Sequence, residues 1–332
     1  MPAVLALMAT GCAGGGQAAG TATGKAAAST VTVASCGKDV RFPAGGQRVY
    51  VDAWRGLLSM TLAIGAQDRI AGYGTYDGDQ RLLRAVHGDA VIDGLPRARK
   101  GDATVEAVVA SGANVMVTAA GQVADAASNR QIAVYASADT CPALVDGGTA
   151  SSWDTLYGDL SNLGKITDHR QDADTAINAI KKRLAALEAA PQAATPPTVF
   201  LFDRGDKNVY SSGSAGPVDR IISAAGGRNA LRTLKTSWTS VSWEKLVSSR
   251  PDFIAFSDYP GQTVAQKIQV LKSNPATKDL PAVKEGRFLS LPVVTWVSSP
   301  LNADAAEHLR KSLEKWKLVP ASDLEPAHAL EP

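Results

Sequence analysis

From Arg48 onward, short runs of β-branched and apolar residues alternate with stretches whose apolar positions recur every three or four residues. The first kind covers 49–52, 70–73, 115–118 and 132–136; the second covers 54–64, 104–110 and 123–129. Strands buried on both faces read as continuous apolar runs, and helices between them supply the crossovers that parallel strands need. The pattern predicts a first α/β lobe over residues 31–152.

The texture then changes. Ala173, Ala176, Ile177, Ile180, Leu184 and Leu187 recur at helical spacing, with Lys181, Lys182, Arg183 and Glu188 mostly between them. A helix over 172–189 would span about 27 Å at roughly 1.5 Å per residue, enough to run along two adjacent lobes. Pro191, Pro196 and Pro197 end it, so 153–192 is expected to link the lobes. The α/β rhythm restarts with strands at 199–203, 253–257 and 288–291, a helix at 218–225 and a closing helix at 303–316. This predicts a second lobe over 193–320 and a tail over 321–332. The lobes share a unit: from Glu106, E-A-V-V-A-S-G-A-N-V-M-V aligns without a gap on E-K-L-V-S-S-R-P-D-F-I-A from Glu244, so Asn114 falls on Asp252 and each precedes a strand.

Charge and composition narrow the chemistry. The 332 residues carry 34 Lys plus Arg against 32 Asp plus Glu, a net charge of +2, without long runs of one sign. Nucleic acid is therefore not an expected partner. The four histidines are scattered, with no two at a metal-ligand spacing, so neither a direct metal site nor a cofactor is expected. No stretch after residue 30 approaches the ~20 apolar residues of a membrane span.

The three cysteines read separately. Cys12 follows a short apolar stretch at 4–9 and opens a Gly/Ala/Ser/Thr-rich tract running to Thr30 that cannot form a packed core. Ala9-Thr10-Gly11-Cys12 resembles a bacterial lipobox, which implies a signal segment and tether over 1–30, lipidation at Cys12 and a place on the extracytoplasmic face of the cell membrane. A disordered N-terminal tail is the alternative. Cys36 and Cys141 form an even pair in what would be an exported protein and are expected to be bonded, two unrelated buried thiols being the other possibility.

Six strings, in order, carry a wider resemblance. They are R-V-Y-V-D with L-A-I-G-A-Q-D-R-I-A-G-Y-G, then T-V-E-A-V-V-A-S-G-A-N-V-M-V, W-D-T-L-Y-G-D-L-S-N-L-G, V-D-R-I-I-S-A-A-G-G-R-N-A-L, S-W-T-S-V-S-W-E-K-L-V-S-S-R-P-D-F-I-A-F and A-V-K-E-G-R-F-L-S-L-P. Together, over about residues 34–318, the chain resembles the helical-backbone (class III) substrate-binding proteins of ABC transporters, which carry ferric siderophores, haem or cobalamin. The resemblance implies two Rossmann-like α/β lobes joined by one long α-helix, a ligand cleft between them, a monomer and a modest rocking motion on capture. It also implies that Glu106 and Glu244 dock into arginine pockets of a permease dimer; fixed exposed carboxylates suit guanidinium forks. The plainer account is that each acid favours the dipole in the first turn of its helix.

Ligand groups are sought in loops at strand ends facing the cleft. Trp238 and Trp296 resemble the positions where ferric-hydroxamate binders place aromatic walls, with core packing as the alternative. In the first lobe Trp54, Tyr73, Tyr76 and Arg97 hold the matching loops, Arg97 as a cation for chelate oxygens or as an ordinary loop charge. Arg204 and Tyr210 are the second-lobe candidates. The expected ligand is an Fe(III)-siderophore chelate of hydroxamate type, the alternatives being cobalamin, haem or a deazaflavin cofactor precursor. A surface hydrolase, suggested by Ser212-Gly213-Ser214-Ala215-Gly216, is weakened because a serine stands where a nucleophile elbow has its leading glycine and because no histidine sits in a persuasive context. Arg204-Gly205-Asp206 is too short a match to support an adhesion protein.

Overall fold

The computed structural model describes residues 29–45, 47–53, 56–76, 79–119, 121–141 and 151–330, so Cys12 and Trp54 lie outside the described residues. In the first lobe, five parallel strands lie in the order Arg99–Lys100, Ile70–Thr75, Val49–Val51, Val115–Thr118, Ala133–Ala136. By chain position this is 3-2-1-4-5, a doubly wound sheet whose order reverses between Val49–Val51 and Val115–Thr118. Both of these strands are buried along their whole length, which is why they read as unbroken apolar runs. The second lobe repeats the plan with Arg228–Asn229, Thr198–Phe202, Phe253–Asp258 and Phe288–Pro292, order 2-1-3-4, reversing between Thr198–Phe202 and Phe253–Asp258.

The shared unit is visible in individual atoms. Helices Val105–Ala110 and Trp243–Ser249 are each capped by a hydroxyl, Thr104 accepting from the Ala107 amide and Ser242 from the Lys245 amide, both at 3.3 Å. Asn114 Oδ1 accepts from the Arg48 amide at 2.9 Å, and Asp252 Oδ2 from the Thr198 amide at 2.7 Å. The aligned residues thus hold the start of the first strand in each lobe.

The linking element is helix Arg170–Ala189, about 30 Å long at roughly 1.5 Å per residue. Trp153–Thr167, immediately before it, belongs to the first lobe: Leu156, Leu160, Leu163 and Ile166 are buried in that lobe's core. Two features differ from the sequence reading. A hairpin, Thr30–Ser35 with Lys38–Pro43, precedes the first expected strand, turning on Cys36 and Gly37 at φ 49° and 76°; positive φ at both central residues suits a two-residue hairpin turn. Its turn is tied by the disulfide Cys36–Cys141 to the chain just beyond the last strand, Ala133–Ala136, which the hairpin also meets through Ser35 and Ala136.

The expected tail is instead a strap. The Ala327 amide donates to Glu307 Oε2 at 2.8 Å, His328 Nδ1 meets Asp304 Oδ1 at 2.6 Å, and Leu330 is buried with Leu187 of the linking helix and Leu82 of the first-lobe helix Asp79–His87. His308 bonds the strap's backbone through Nε2 and the carbonyl of His328, 2.8 Å apart. Arg183 of the linking helix pairs with Asp304 and Glu307 of helix Asn302–Lys315 at 2.9 and 2.7 Å.

Candidate functional site

The carboxyl ends of the first-lobe strands converge on a hollow of about 460 Å³ between the lobes, a size suited to a small-molecule ligand. Asp52 and Thr118 stand where the strand order reverses, and both line it. Thr118 Oγ1 donates to Asp52 Oδ2 at 2.7 Å, while Asp52 Oδ1 accepts from the Ala53 and Ala103 amides, each at 2.8 Å. This carboxylate faces the cleft but spends its lone pairs on the lobe itself. Ser137, Asp139 and Thr140 follow the last strand and continue the floor, and Asp102 forms part of the rim.

The second lobe supplies an aromatic wall. Tyr210 and Trp238 lie on neighbouring strands of a small antiparallel sheet, with Tyr210 paired to Ser240 and Ser212 to Trp238. Their rings sit diagonally and stack, centroids 6.0 Å apart and planes 17° apart. The Arg204 guanidinium lies 4.3 Å from the Tyr210 ring centroid. Burial pushes the Tyr210 phenol up, opposed by the nearby Arg204 charge. Tyr210 also borders a second hollow, about 700 Å³, with Arg204, Tyr259 and Gln262 on its walls. That hollow sits at the second lobe's own reversal point, where Tyr259 donates to Asp203 Oδ2 at 2.9 Å.

Of the candidates from sequence, Trp238 and Tyr210 come together on the cleft and Arg204 stands beside them. Tyr76 is half-buried, and its hydroxyl bonds Asp102 at the rim. Two aromatics require correction. Tyr73 is buried in the first-lobe core with its hydroxyl accepting from Gln80 Nε2 at 3.4 Å, and Trp296 is fully buried in the second-lobe core. Neither ring lines either hollow, because the strand and loop that carry them turn those side chains inward. Arg97 is exposed and is not among the residues lining either hollow. Sequence reading missed Asp52, Thr118, Ser137, Asp139 and Ser298; the signal available was their place just beyond, or at the end of, a strand or turn facing the cleft.

Glu106 and Glu244 are both exposed, each at the second position of its capped helix. Glu244 is held below the usual carboxylate range, first by its own backbone amide and then by Ser242. The hydrolase candidate Ser214 donates to the Leu234 carbonyl at 3.2 Å. Among the described residues no three His, Cys, Asp or Glu gather to hold a metal, and no helix is long and apolar enough to cross a membrane.

Two α/β lobes joined by a helix, with a cleft at their strand ends walled by stacked aromatics, define a two-lobed binding protein. A family model described as periplasmic binding protein matches residues 57–295. The chain belongs to that family, whose members are extracytoplasmic solute-binding transport proteins rather than enzymes. Among solved structures it is similar to a periplasmic binding protein from Veillonella parvula (19% identity, TM-score 0.73, covering 87% of this chain and 99% of that one). It is also similar to a protein described as an ABC-type Fe3+-hydroxamate transport system from Saccharomonospora viridis (17%, 0.70, 85% and 98%) and to a periplasmic haem-binding protein from Pseudomonas aeruginosa (20%, 0.64, 84% and 95%). No curated protein matches the chain.

Proposed function

We propose that this protein captures a ferric hydroxamate siderophore outside the cytoplasm and delivers it to an ABC permease. The observation that carries the reading is the stacked Tyr210–Trp238 wall facing the hydroxyl-rich floor of Thr118, Ser137 and Thr140. A flat aromatic wall holds the apolar periphery of a large chelate without stripping the metal of its ligands, and the hydroxyl oxygens, whose protons go to Asp52, Asp159 and the Ser137 carbonyl, can accept from N–H or O–H groups of the chelate. Similarity to the Saccharomonospora viridis protein supports the same ligand class. On this reading Cys12 carries the lipid, Glu106 and Glu244 meet the permease, and the monomer is the acting form.

A second reading, haem held axially by Tyr210, draws on the cation of Arg204 beside that ring and on the haem-binding neighbours. Quenching of tryptophan emission, titrated with ferric trihydroxamates, ferric catecholates, haem and cobalamin, separates the two. Saturable quenching by a ferric trihydroxamate is the expected result. A haem Soret shift lost in Tyr210→Phe, with no response to any hydroxamate, would replace the siderophore reading.

A further inference from the structure

Beneath the cleft, one buried guanidinium touches both lobes. Arg220 lies on the second-lobe helix Pro217–Ala224, whose first residue lines the cleft, and is 5% exposed. One terminal nitrogen, Nη1, reaches into the first lobe: Asp139 Oδ2 at 3.1 Å, Ser151 Oγ at 2.5 Å and the Ser152 carbonyl at 2.9 Å. The other, Nη2, stays in the second lobe, donating to Asn302 Oδ1 at 2.8 Å and Ser298 Oγ at 3.3 Å. Trp153 of the first lobe presents its ring to the guanidinium, 5.4 Å from centroid to carbon.

The partners are themselves fixed. Asn302 Nδ2 donates to the Thr295 and Val297 carbonyls at 2.8 and 2.6 Å, clamping the loop that carries Ser298. Ser151 donates to Asp139 Oδ1 at 2.6 Å. On the opposite side of that loop the Ser298 carbonyl packs against Gly56, at φ 95°, where a built Cβ would lie 2.2 Å from the oxygen. Any side chain at Gly56 would therefore wedge the lobes apart as well as strain the backbone.

We propose that Arg220 is the positioning residue of the cleft, setting the spacing and orientation of the two lobes from below so that the ligand walls are already placed before ligand arrives. A charge taken out of water is tolerated only while its partners stay in reach, and here they sit on both lobes. Hydrogen bonds weaken steeply once the lobes shift by about 1 Å or rotate out of line, so the fork resists opening at the point where Asp139, Pro217 and Ser298 form the floor. A hydrophobic residue could fill the same space; what it lacks is the directional demand of a planar fork. Arg220 acts through Asp139 and Ser298 and need not touch the ligand.

The proposal rests on the cleft being a binding site, and the test has one arm that does not depend on ligand. Donor and acceptor dyes are placed through non-native azide side chains at the exposed Ser128 and Ser273, one in each lobe, and the interlobe distance distribution is read by single-molecule energy transfer in the ligand-free full chain. The wild type is expected to give one narrow distribution, Arg220→Met a broadened one, and Arg220→Lys an intermediate. In the second arm, stopped-flow quenching with a ferric trihydroxamate is expected to show association slowed about tenfold in Arg220→Met with partial recovery in Arg220→Lys. If Arg220→Met does not fold, Asp139→Asn keeps the volume, neutralises the pair and is expected to broaden the distribution likewise. An unchanged distribution in Arg220→Met, or in Asp139→Asn where that variant stands in, overturns the proposal. If the wild type ignores the trihydroxamate while the distance distributions still differ, the ligand reading fails and the role of Arg220 stands.

Discussion

The two lobes end their first strand on the same residue type and use it differently. In the first lobe V-Y-V-D brings Asp52 to the reversal point, where two amides and a threonine hydroxyl saturate it and the cleft opens directly above. In the second lobe V-F-L-F-D brings Asp203 to the equivalent point, where the Tyr259 hydroxyl donates to it, the Arg204 guanidinium stands 3.9 Å away and the hairpin carrying Arg204 and Tyr210 intervenes. The open point thus faces the ligand cleft, while the other lies under the second hollow, bordered by the Tyr210 ring. A duplicated plan has produced one floor and one wall, and insertion of a short antiparallel sheet after a single strand accounts for the difference.

That contrast can be broken experimentally. The largest effect is expected from the disulfide, which only the first lobe has: a Cys36→Ser/Cys141→Ser variant closes no loop of sequence separation 105 and should lose roughly 3–5 kcal/mol. Calorimetry should show the first-lobe transition moving down while the second holds; a uniform shift of both would deny the lobes their independence. Next, Asp52→Ala strips three donors of their acceptor and should cost about 2–4 kcal/mol in urea denaturation, against about 1–2 for Asp203→Ala. Equal costs would erase the distinction between the two reversal points.

Binding effects are smaller in energy. Trp238→Ala should weaken a ferric trihydroxamate by about tenfold to a hundredfold, roughly 1.4–2.7 kcal/mol, while Arg204→Ala should change a neutral chelate less than about threefold. The reverse order would move the site into the second hollow. Last comes pH. Burial, then His328, holds His87 down to about 4, so the unfolded chain takes up its proton first as pH falls. His87 therefore costs stability progressively from about pH 6.5 toward 4. His328 is raised, chiefly by its bond to Asp304, so its stabilisation is complete below about 6.5 and fades as pH rises through its higher folded value. His87→Gln should flatten the acid limb of a Tm-against-pH curve, whereas His328→Gln should lower stability most at the acid end.

Much of the lobe plan was legible because parallel strands covered on both faces cannot avoid long apolar runs, as 115–118 and 253–257 show. The matched glutamates and the Asn114/Asp252 pair were legible because a repeated unit repeats its caps. The Cys36–Cys141 pairing followed from the even count. Ring direction was not legible: the apolar run at 70–73 put Tyr73 at a strand end, whereas the strand continues to Thr75 and holds Tyr73 inside it, and only tertiary packing turns Trp296 inward from its loop. Asp139 and Arg220 escaped notice for a related reason. They are 81 positions apart and gain meaning only when the lobes meet. The strap escaped because its two large apolar residues, Leu324 and Leu330, follow no helical or strand period.

The strap makes the back of the molecule a flexure rather than a hinge. A single rod joining two bodies lets them bend and twist about it; here a second piece of chain, pinned to Asp304 and Glu307 of the second lobe, carries Leu330 into the apolar cluster that also holds Leu82 of the first lobe. Separating the lobes at the back would have to open the apolar cluster that Leu330 shares with Leu82 of the first lobe and Leu187 of the linking helix, so it is resisted by exposure of that surface to water.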